Sequence, residues 1–356
     1  MRHREGKIPV YTLALIAVLA VVLFAVEERN KVQIDDPYKS AKVNAAVLCK
    51  RGFEVIKDAR DSLSLTVDRI NDPNGTGLIG PQYSLITEGM SNLTEKLTTL
   101  NPNFSAAVVD MLTKCGVKEG DVLAIGWTGS YPAINIAVLA ACEVLSLRPI
   151  IVTSVSSSMW GANIPSFTYL DMERILYEKG VFSNRSCAAS IGGKDDVGIG
   201  LSPEGRRLIG ETVQRTSVEY IVAKDIEESV KKRLAIYGDS AKIFINVGWG
   251  MANIGENQLV PGVNSSTRML KLKPSCVAKE IADRGIPIIN LVSFEKLARE
   301  YSLPIAPIPI PAIGVGLLYY KYVYSVPFAI VFILVIGVVL FISLKYEVEH
   351  IFRRDR

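Results

Sequence analysis

The chain has 356 residues, of which 49% are hydrophobic, with 40 basic and 36 acidic residues. It is too apolar for a disordered chain and too long for a single small module. Two stretches without a charged residue, Ile8 to Val26 and Ser325 to Leu344, stand out. A helix needs roughly 20 apolar residues to cross a hydrocarbon core of about 30 Å, so each stretch predicts a transmembrane helix. We therefore expect a globular body between two membrane anchors.

The charged residues predict how the chain lies in the membrane. Seven of the 40 basic and four of the 36 acidic residues lie in the tails, 1–7 and 345–356, which leaves 33 basic and 32 acidic residues for the body. By the positive-inside rule both basic tails are cytoplasmic. Two spans then put the body outside the cytoplasm. The alternatives are a cleaved signal peptide in place of the first anchor, and an inverted topology with a cytoplasmic body.

The composition of the body excludes several classes of function. The two histidines of the chain, His3 and His350, lie in the tails. A body without histidine cannot hold a Ser-His-Asp or Cys-His active site, or the common histidine-bearing zinc sites. A nucleic-acid groove needs a basic stripe, and the near-neutral body has none. The sequence predicts no cofactor, and any catalysis has to use Asp, Glu, Lys, Tyr, Ser or Cys.

The region 27–120 is predicted to be helical. Apolar residues recur at helical spacing over residues 38–70, and the Asn-, Pro- and Gly-rich segment 71–77 then interrupts the chain. Residues 81–103 are polar and have no clear pattern. A second helix is predicted from Phe104 to Cys115, where Gly116 stops it.

Apolar runs alternate with helical patterns over residues 121–302. Strands are predicted at Val122–Trp127, Pro149–Val155, Arg185–Ile191, 241–247 and Ile286–Val292. Helices are predicted at Pro132–Leu147, Thr168–Lys179, 203–215, 224–237 and Ser275–Arg284. Strands that are apolar throughout and alternate with helices indicate a parallel sheet covered on both faces. We therefore predict an α/β body with a Rossmann-like open parallel sheet.

The segment 303–324 joins this body to the second anchor. Four prolines between residues 303 and 316 predict an extended, semi-rigid juxtamembrane arm. The tyrosines that follow suit the membrane–water interface, where amphipathic rings settle; they are Tyr319, Tyr320, Tyr322 and Tyr324. The alternative is an apolar arm packed against the body.

Four loops that follow predicted strands are rich in glycine, hydroxyl or amide groups. The first of them is a candidate anion-binding loop. Thr128 and Ser130 precede a helix, whose first N–H groups suit a carboxylate or phosphate. The alternative is that Ser130 only caps this helix. The loop at 154–163 carries four serines with a tryptophan and an asparagine, which suits a polar pocket or an ordinary surface loop.

The other two loops are 192–200 and 246–250. In the first, glycines allow close approach of a ligand, and Lys194 adds a charge. Asp195 and Asp196, with Asp171 or Glu173, are candidates for a hard-cation site, although adjacent acids in a turn are more often solvated. The second loop has a GxG pattern, but Asn253 replaces the third glycine of a dinucleotide loop.

All strands of a parallel sheet end at the same edge, so these loops are expected to meet there. We predict that ten residues line one cleft at that edge: Thr128, Ser130, Ser156, Trp160, Asn163, Gly192, Gly193, Lys194, Asp195 and Asn246.

Four segments carry a resemblance to a known family. They are IGWTGSYPAINIAVLAACEVL (125–145), SSSMWGANIPSFTYLDME (156–173), SIGGKDDVGIGLSPEGR (190–206) and INVGWG (245–250). With the two-anchor layout, they resemble the poly-γ-glutamate system protein family of bacterial membrane proteins. The resemblance implies an accessory or binding subunit of poly-γ-glutamate synthesis or export in the cell envelope. It implies other synthase or export subunits as partners and a carboxylate-bearing polymer or small molecule as ligand. It gives no catalytic residue that can be carried over to this chain.

The residues leave a second hypothesis open, that of a histidine-free hydrolase or transferase acting on amide bonds of an envelope polymer. Ser130 is then the candidate nucleophile and Lys194 the candidate base. This role requires a lysine whose pKa is lowered by burial. The Gly- and Asp-rich surroundings of Lys194 argue against such burial.

Overall fold

A computed structural model describes residues 8–255, 259–265 and 276–346. The tails before residue 8 and after residue 346, with His3 and His350, lie outside the described residues. The chain forms two compact units. The terminal unit comprises the described residues up to Asp36 and from Tyr320 onwards, and the body comprises those of Pro37–Tyr319.

The helices and strands are numbered in chain order. The described helices are α1 (Val10–Arg29), α2 (Lys39–Ser62), α3 (Leu93–Thr99), α4 (Phe104–Lys114), α5 (Pro132–Val144), α6 (Tyr169–Glu178), α7 (Pro203–Thr216), α8 (Ile226–Tyr237), α9 (Met251–Ile254), α10 (Val277–Asp283), α11 (Phe294–Glu300) and α12 (Val326–Lys345). The described strands are β1 (Val32–Asp35), β2 (Val122–Thr128), β3 (Arg148–Ser154), β4 (Asn163–Ile164), β5 (Phe167–Thr168), β6 (Ala188–Ser190), β7 (Glu219–Ile221), β8 (Ile243–Val247), β9 (Gly262–Asn264), β10 (Ile288–Leu291) and β11 (Tyr320–Val323).

The terminal unit contains two long apolar helices, as predicted. Helices α1 and α12 have 20 residues each and are long and apolar enough to cross a membrane. Beside them β1 pairs antiparallel with β11, with Val32 opposite Val323, and the sequence pattern did not predict this pairing. The Tyr324 hydroxyl donates to Glu28 over 2.9 Å, and Lys31 Nζ lies 4.6 Å from the centroid of the same ring.

The body is built on a seven-stranded, mostly parallel sheet, which confirms the predicted α/β class. The strand order is β7-β6-β3-β2-β8-β10-β9, and within it β9 is antiparallel to β10. The apolar strands are buried because helices cover both faces of a parallel sheet. In α5, every residue from Pro132 to Cys142 is buried, as expected for a helix that is apolar all round.

The strand order creates a switch point between β2 and β8. From β2 the chain builds β3, β6 and β7 on one side, and then returns to place β8 on the other side of β2. The connections from these two neighbouring strands therefore leave the sheet in opposite directions. A crevice forms between their carboxyl ends, and this is where open α/β sheets bind ligands.

Helix α2 is shorter than its apolar pattern predicts, since it ends at Ser62 instead of continuing to residue 70. The buried side chain of Arg60 explains this end. Its guanidinium donates to the carbonyls of Thr66 and Gly77 over 3.0 and 2.8 Å. These bonds hold the following chain in a non-helical path, and helical spacing alone cannot reveal them.

The proline-rich segment 303–319 packs against the rest of the body. The structure therefore agrees with the alternative prediction, a packed arm, and not with an extended juxtamembrane arm. The backbone N–H of Ala306 donates to Thr98 Oγ1 over 3.0 Å. Tyr319 is fully buried and its hydroxyl donates to Asn103 Oδ1. Tyr319 is therefore a core residue of the body, and the prediction that its ring lies at the membrane interface is wrong.

Candidate functional site

A cleft of about 240 Å³ lies at the carboxyl edge of the sheet, at the switch point between β2 and β8. Its volume is below the roughly 300–1,000 Å³ of pockets for drug-sized ligands, so it suits a group the size of one amino-acid residue. The described residues that line it are Glu88, Gly89, Met90, Ser91, Glu95, Thr128, Ser130, Tyr131, Ser154, Ser156, Ser158, Gly192, Gly193, Asp196, Trp249, Gly250 and Met251.

The serine-rich loop after β3 is docked onto the end of β2. The backbone N–H of Ser158 donates to Ser130 Oγ over 3.0 Å, and the Ser157 hydroxyl donates to the Gly129 carbonyl over 3.1 Å. Gly161 permits this approach, because a Cβ there would lie 2.8 Å from the Ser130 carbonyl oxygen. Helix α5 has no side-chain cap. Ser130 therefore anchors the second loop and does not cap the helix.

A buried lysine lies behind this loop. Lys96, on α3, is 1% exposed, and its Nζ donates to the Ser130 carbonyl and lies 2.9 Å from Ser158 Oγ. The same Nζ lies 3.9 Å from the centroid of the Tyr131 ring. Burial disfavours the charged ammonium and lowers the pKa of Lys96 to about 7. Near neutral pH, a fraction of Lys96 is thus a neutral amine beside a hydroxyl of the cleft lining.

Two carboxylates give the cleft an acidic lining. Glu95 accepts from the backbone N–H of Phe294 over 2.8 Å and from the Tyr131 hydroxyl over 3.2 Å. Glu88 accepts from the Ser156 hydroxyl over 3.3 Å, and burial raises the pKa of Glu88. Among the described lining residues there is no Lys, Arg or His. The lining therefore favours a neutral or amino-bearing group over a carboxylate.

The third acid of the lining, Asp196, is neutralised from below. Arg233 on α8 is fully buried, and its Nη2 lies 2.9 Å from Asp196 Oδ2 and 2.7 Å from Ser190 Oγ. The hydroxyls of Ser154 and Ser229 donate to Asp196 over 3.1 and 2.5 Å. Buried charges need such pairing and hydrogen bonding to be tolerated. Asp196 and Arg233 thus form a buried, ion-paired floor under the cleft.

Half of the ten residues predicted to share a cleft line it in the structure. These are Thr128, Ser130, Ser156, Gly192 and Gly193. Gly192 adopts a φ of +82°, and a Cβ there would lie 2.2 Å from Ser156 Oγ. A side chain at this position would press on Ser154 and Ser156, so the loops after β3 and β6 approach each other closely at a glycine.

The other five predicted residues are not among the described lining residues. Asn246 is buried inside the sheet, where its Nδ2 donates to Asn290 Oδ1 over 2.8 Å. The Asn163 amide donates to the Pro81 carbonyl over 2.8 Å and so holds the segment before α3. The carbonyl of Trp160 accepts from the Gly80 N–H over 3.3 Å.

Lys194 and Asp195 lie in the turn after β6. The Lys194 side chain is exposed, and Asp195 has a left-handed φ of +57°. Of the cation candidates, Asp171 caps α6 and pairs with Arg215 over 2.6 Å, while Asp196 pairs with Arg233. No group of three or more potential metal ligands occurs among the residues that the structure describes.

Sequence patterns missed four residues that shape the cleft: Glu88, Glu95, Lys96 and Arg233. Three of them belong to the segment 81–103, which shows no clear periodicity. One local signal was present, because Asn92 Oδ1 caps α3 by accepting from the Thr94 N–H over 2.8 Å, with Glu95 in the first turn. An N-cap followed by an acid marks a helix start even where the helix is short.

Comparison of the chain with protein-family models, with curated proteins and with solved structures finds no match.

Proposed function

We propose that this protein is a membrane-anchored binding subunit of a bacterial poly-γ-glutamate synthesis or export system. In this proposal α1 and α12 cross the membrane, both tails are cytoplasmic, and the body lies outside the cytoplasm. The resemblance of the four sequence segments supports the pathway. The length and apolar composition of the two helices support the location, and the basic residues of the tails support the orientation.

The observation that carries the binding role is the cleft at the switch point. Five separate segments of the chain contribute the residues that line it: 88–95, 128–131, 154–158, 192–196 and 249–251. Turns that only connect helices and strands have no need to converge in this way. Serine hydroxyls from two strand ends, Ser130 and Ser156, face the same space as the carboxylates of Glu88 and Glu95. This combination hydrogen-bonds a polar ligand, and the acidic groups attract a cationic one.

The charge of the lining supports a proposal for which part of the polymer binds. Each unit of poly-γ-glutamate carries a carboxylate, and like charges disfavour its entry between Glu88 and Glu95. The amino end of the polymer carries an ammonium group instead. We therefore expect the cleft to bind the terminal amino group of a γ-glutamyl chain, with the first γ-amide reaching the serine hydroxyls.

Association is tested on the full-length chain in detergent. The expected result is co-purification with the synthase or export subunits of the host and a changed polymer output when the gene is deleted. No association together with unchanged polymer output would overturn the proposal.

Ligand choice is tested with γ-glutamyl oligomers that have a free or an acetylated amino end. Trp249, which is 48% exposed at the cleft, reports binding by fluorescence. We expect the acetylated oligomer and the Glu95→Gln variant each to weaken binding at least about tenfold, and Glu119→Gln, at an exposed position, to leave it unchanged. Equal affinity for both oligomers would contradict recognition of the amino end.

A further inference from the structure

The buried lysine and a cleft serine are arranged as a reacting pair. Lys96 Nζ lies 2.9 Å from Ser158 Oγ, within the range of about 2.6–3.2 Å required of a general base. Ser158 lines the cleft and is partly exposed, whereas Lys96 is fully enclosed behind it. A ligand in the cleft therefore reaches the hydroxyl from one side, while the amine contacts it from the other.

We infer that Ser158 is a nucleophile and Lys96 its general base, so that the cleft is an active site for acyl transfer from amides. Serine–lysine chemistry needs no histidine, which agrees with a body that contains none. The serine and the lysine differ from the pair that sequence patterns suggested, because Lys194 is exposed and Ser130 Oγ is occupied by the Ser158 N–H.

The surroundings hold the amine in the orientation that the reaction requires. The Ser130 carbonyl accepts one N–H of Lys96, and the face of the Tyr131 ring covers the group. The third contact of Nζ is Ser158 Oγ, to which it donates over 2.9 Å. Once the amine has lost the proton that lies along this direction, its lone pair accepts from the Ser158 hydroxyl instead. Burial lowers the pKa of Lys96 to about 7, which makes the neutral amine available at physiological pH.

The reaction balances with water as the only co-reactant. Ser158 Oγ attacks the carbonyl carbon of the amide, and its proton passes to Lys96 Nζ. The C–N bond then breaks, and the leaving amine takes the proton from Lys96, which leaves an ester on Ser158. Water gives a proton to Lys96 while its oxygen attacks this ester. The Ser158–acyl bond breaks, the proton returns to Ser158 Oγ, and a carboxylic acid is released.

The acidic lining selects an acyl group that bears an amine. Glu88 and Glu95 line the same cleft as Ser158, and their carboxylates would bind an ammonium group of the substrate. The substrate class is thus an amide whose acyl part carries a free amino group. Its identification with the amino-terminal γ-glutamyl unit rests on the proposed function, whereas the Ser158–Lys96 pair does not.

A fluorophosphonate probe tests the pair on the full-length protein in detergent, without a natural substrate. We expect the probe to modify Ser158, identified by mass spectrometry of the digested protein. Lys96→Met, which keeps the side-chain volume and removes the base, should reduce the labelling rate at least about tenfold. Lys224→Met and Ser166→Ala, at exposed positions of the same residue types, should label as the wild type does.

The pH dependence of the labelling rate is measured on the unmodified protein, so this test does not depend on how the variants fold. In the unmodified protein, labelling should rise with a midpoint near pH 7, because the base acts only when deprotonated. The inference is overturned if Ser158 stays unmodified, if another serine is labelled instead, if folded Lys96→Met labels at the wild-type rate, or if the rate of the unmodified protein is independent of pH between 6 and 9.

Cleavage is then measured with free and amino-acetylated γ-glutamyl oligomers, followed by mass spectrometry. Release of glutamate from the free oligomer supports the substrate assignment. Labelling of Ser158 without any release from either oligomer would overturn that assignment and leave the pair in place. Binding of the free oligomer by a protein whose Ser158 does not react would overturn the catalytic inference and leave the binding function in place.

Discussion

Arg233 and Asp196 form an ion pair under the cleft, with Nη2 and Oδ2 2.9 Å apart and side-chain exposures of 0% and 3%. The arginine belongs to α8 and the aspartate to the turn after β6, so the pair joins two segments 37 residues apart. Arg233 Nη1 also lies 3.3 Å from Asn253 Oδ1. The pair therefore connects the chain beyond β8 to the loops that line the cleft.

Asp196→Asn should lower the free energy of unfolding by about 3–5 kcal/mol, because it leaves the buried Arg233 charge without a carboxylate to neutralise it. The double variant with Arg233→Met should cost less than the sum of the two single variants. Asp239→Asn is the matched control, since it breaks an exposed pair with Arg284 and should cost no more than about 1 kcal/mol. Denaturant titrations that give equal losses for Asp196→Asn and Asp239→Asn would contradict this reading of the pair.

Lys96 should make stability depend on pH. Its folded pKa of about 7 lies below the ordinary value of 10.5. Between these values the unfolded chain binds a proton that the folded chain has released, so stability rises as the pH rises from about 7 to 10.5. Below about pH 7 the full cost of burying the charge remains. Melting curves at pH 6, 8 and 10 should show this rise in wild type relative to Lys96→Met, and an equal pH dependence of both proteins would refute it.

Glu173 should produce the opposite dependence at lower pH. It is buried, accepts from the N–H and hydroxyl of Ser186, and has a pKa that burial raises to about 7 from 4.5. The folded chain then holds a proton that the unfolded chain has lost, so stability falls as the pH rises from about 4.5 to 7. Glu173→Gln should flatten this fall in melting curves. Glu178→Gln, on the exposed face of the same helix, should retain it.

Gly192→Ala should lower the free energy of unfolding more than Gly116→Ala, a replacement at a glycine with similar backbone strain. Gly192 and Gly116 have similar positive φ values of +82° and +74°. A Cβ at Gly192 would lie 2.2 Å from Ser156 Oγ, whereas nothing lies within 4 Å at Gly116. In denaturant titrations, Gly192→Ala should lower the free energy of unfolding by about 1–3 kcal/mol more than Gly116→Ala, which is the usual cost of overpacking. Equal losses would indicate that the loops after β3 and β6 separate easily.

The sequence by itself determined the class of the fold and the place of the two apolar helices. Both depend on patterns that are local: a charge-free run of about 20 residues, or an apolar run followed by a helical period. The sequence also indicated the edge of the sheet at which the strand-end loops meet, because a parallel sheet directs all strands the same way. It could not tell which side chains of those loops face the cleft, as Asn246 and Lys194 illustrate.

Tertiary structure alone decided the chemistry of the site. Lys96 is one polar residue among many in its segment, and it becomes a buried amine only because Ser130 and Ser158 pack around it from positions 34 and 62 residues away. Asp196 similarly reads as a solvated turn acid until Arg233 is brought beneath it. Burial and pairing shift a pKa through neighbours that are close in space, and such neighbours leave no local pattern in the chain.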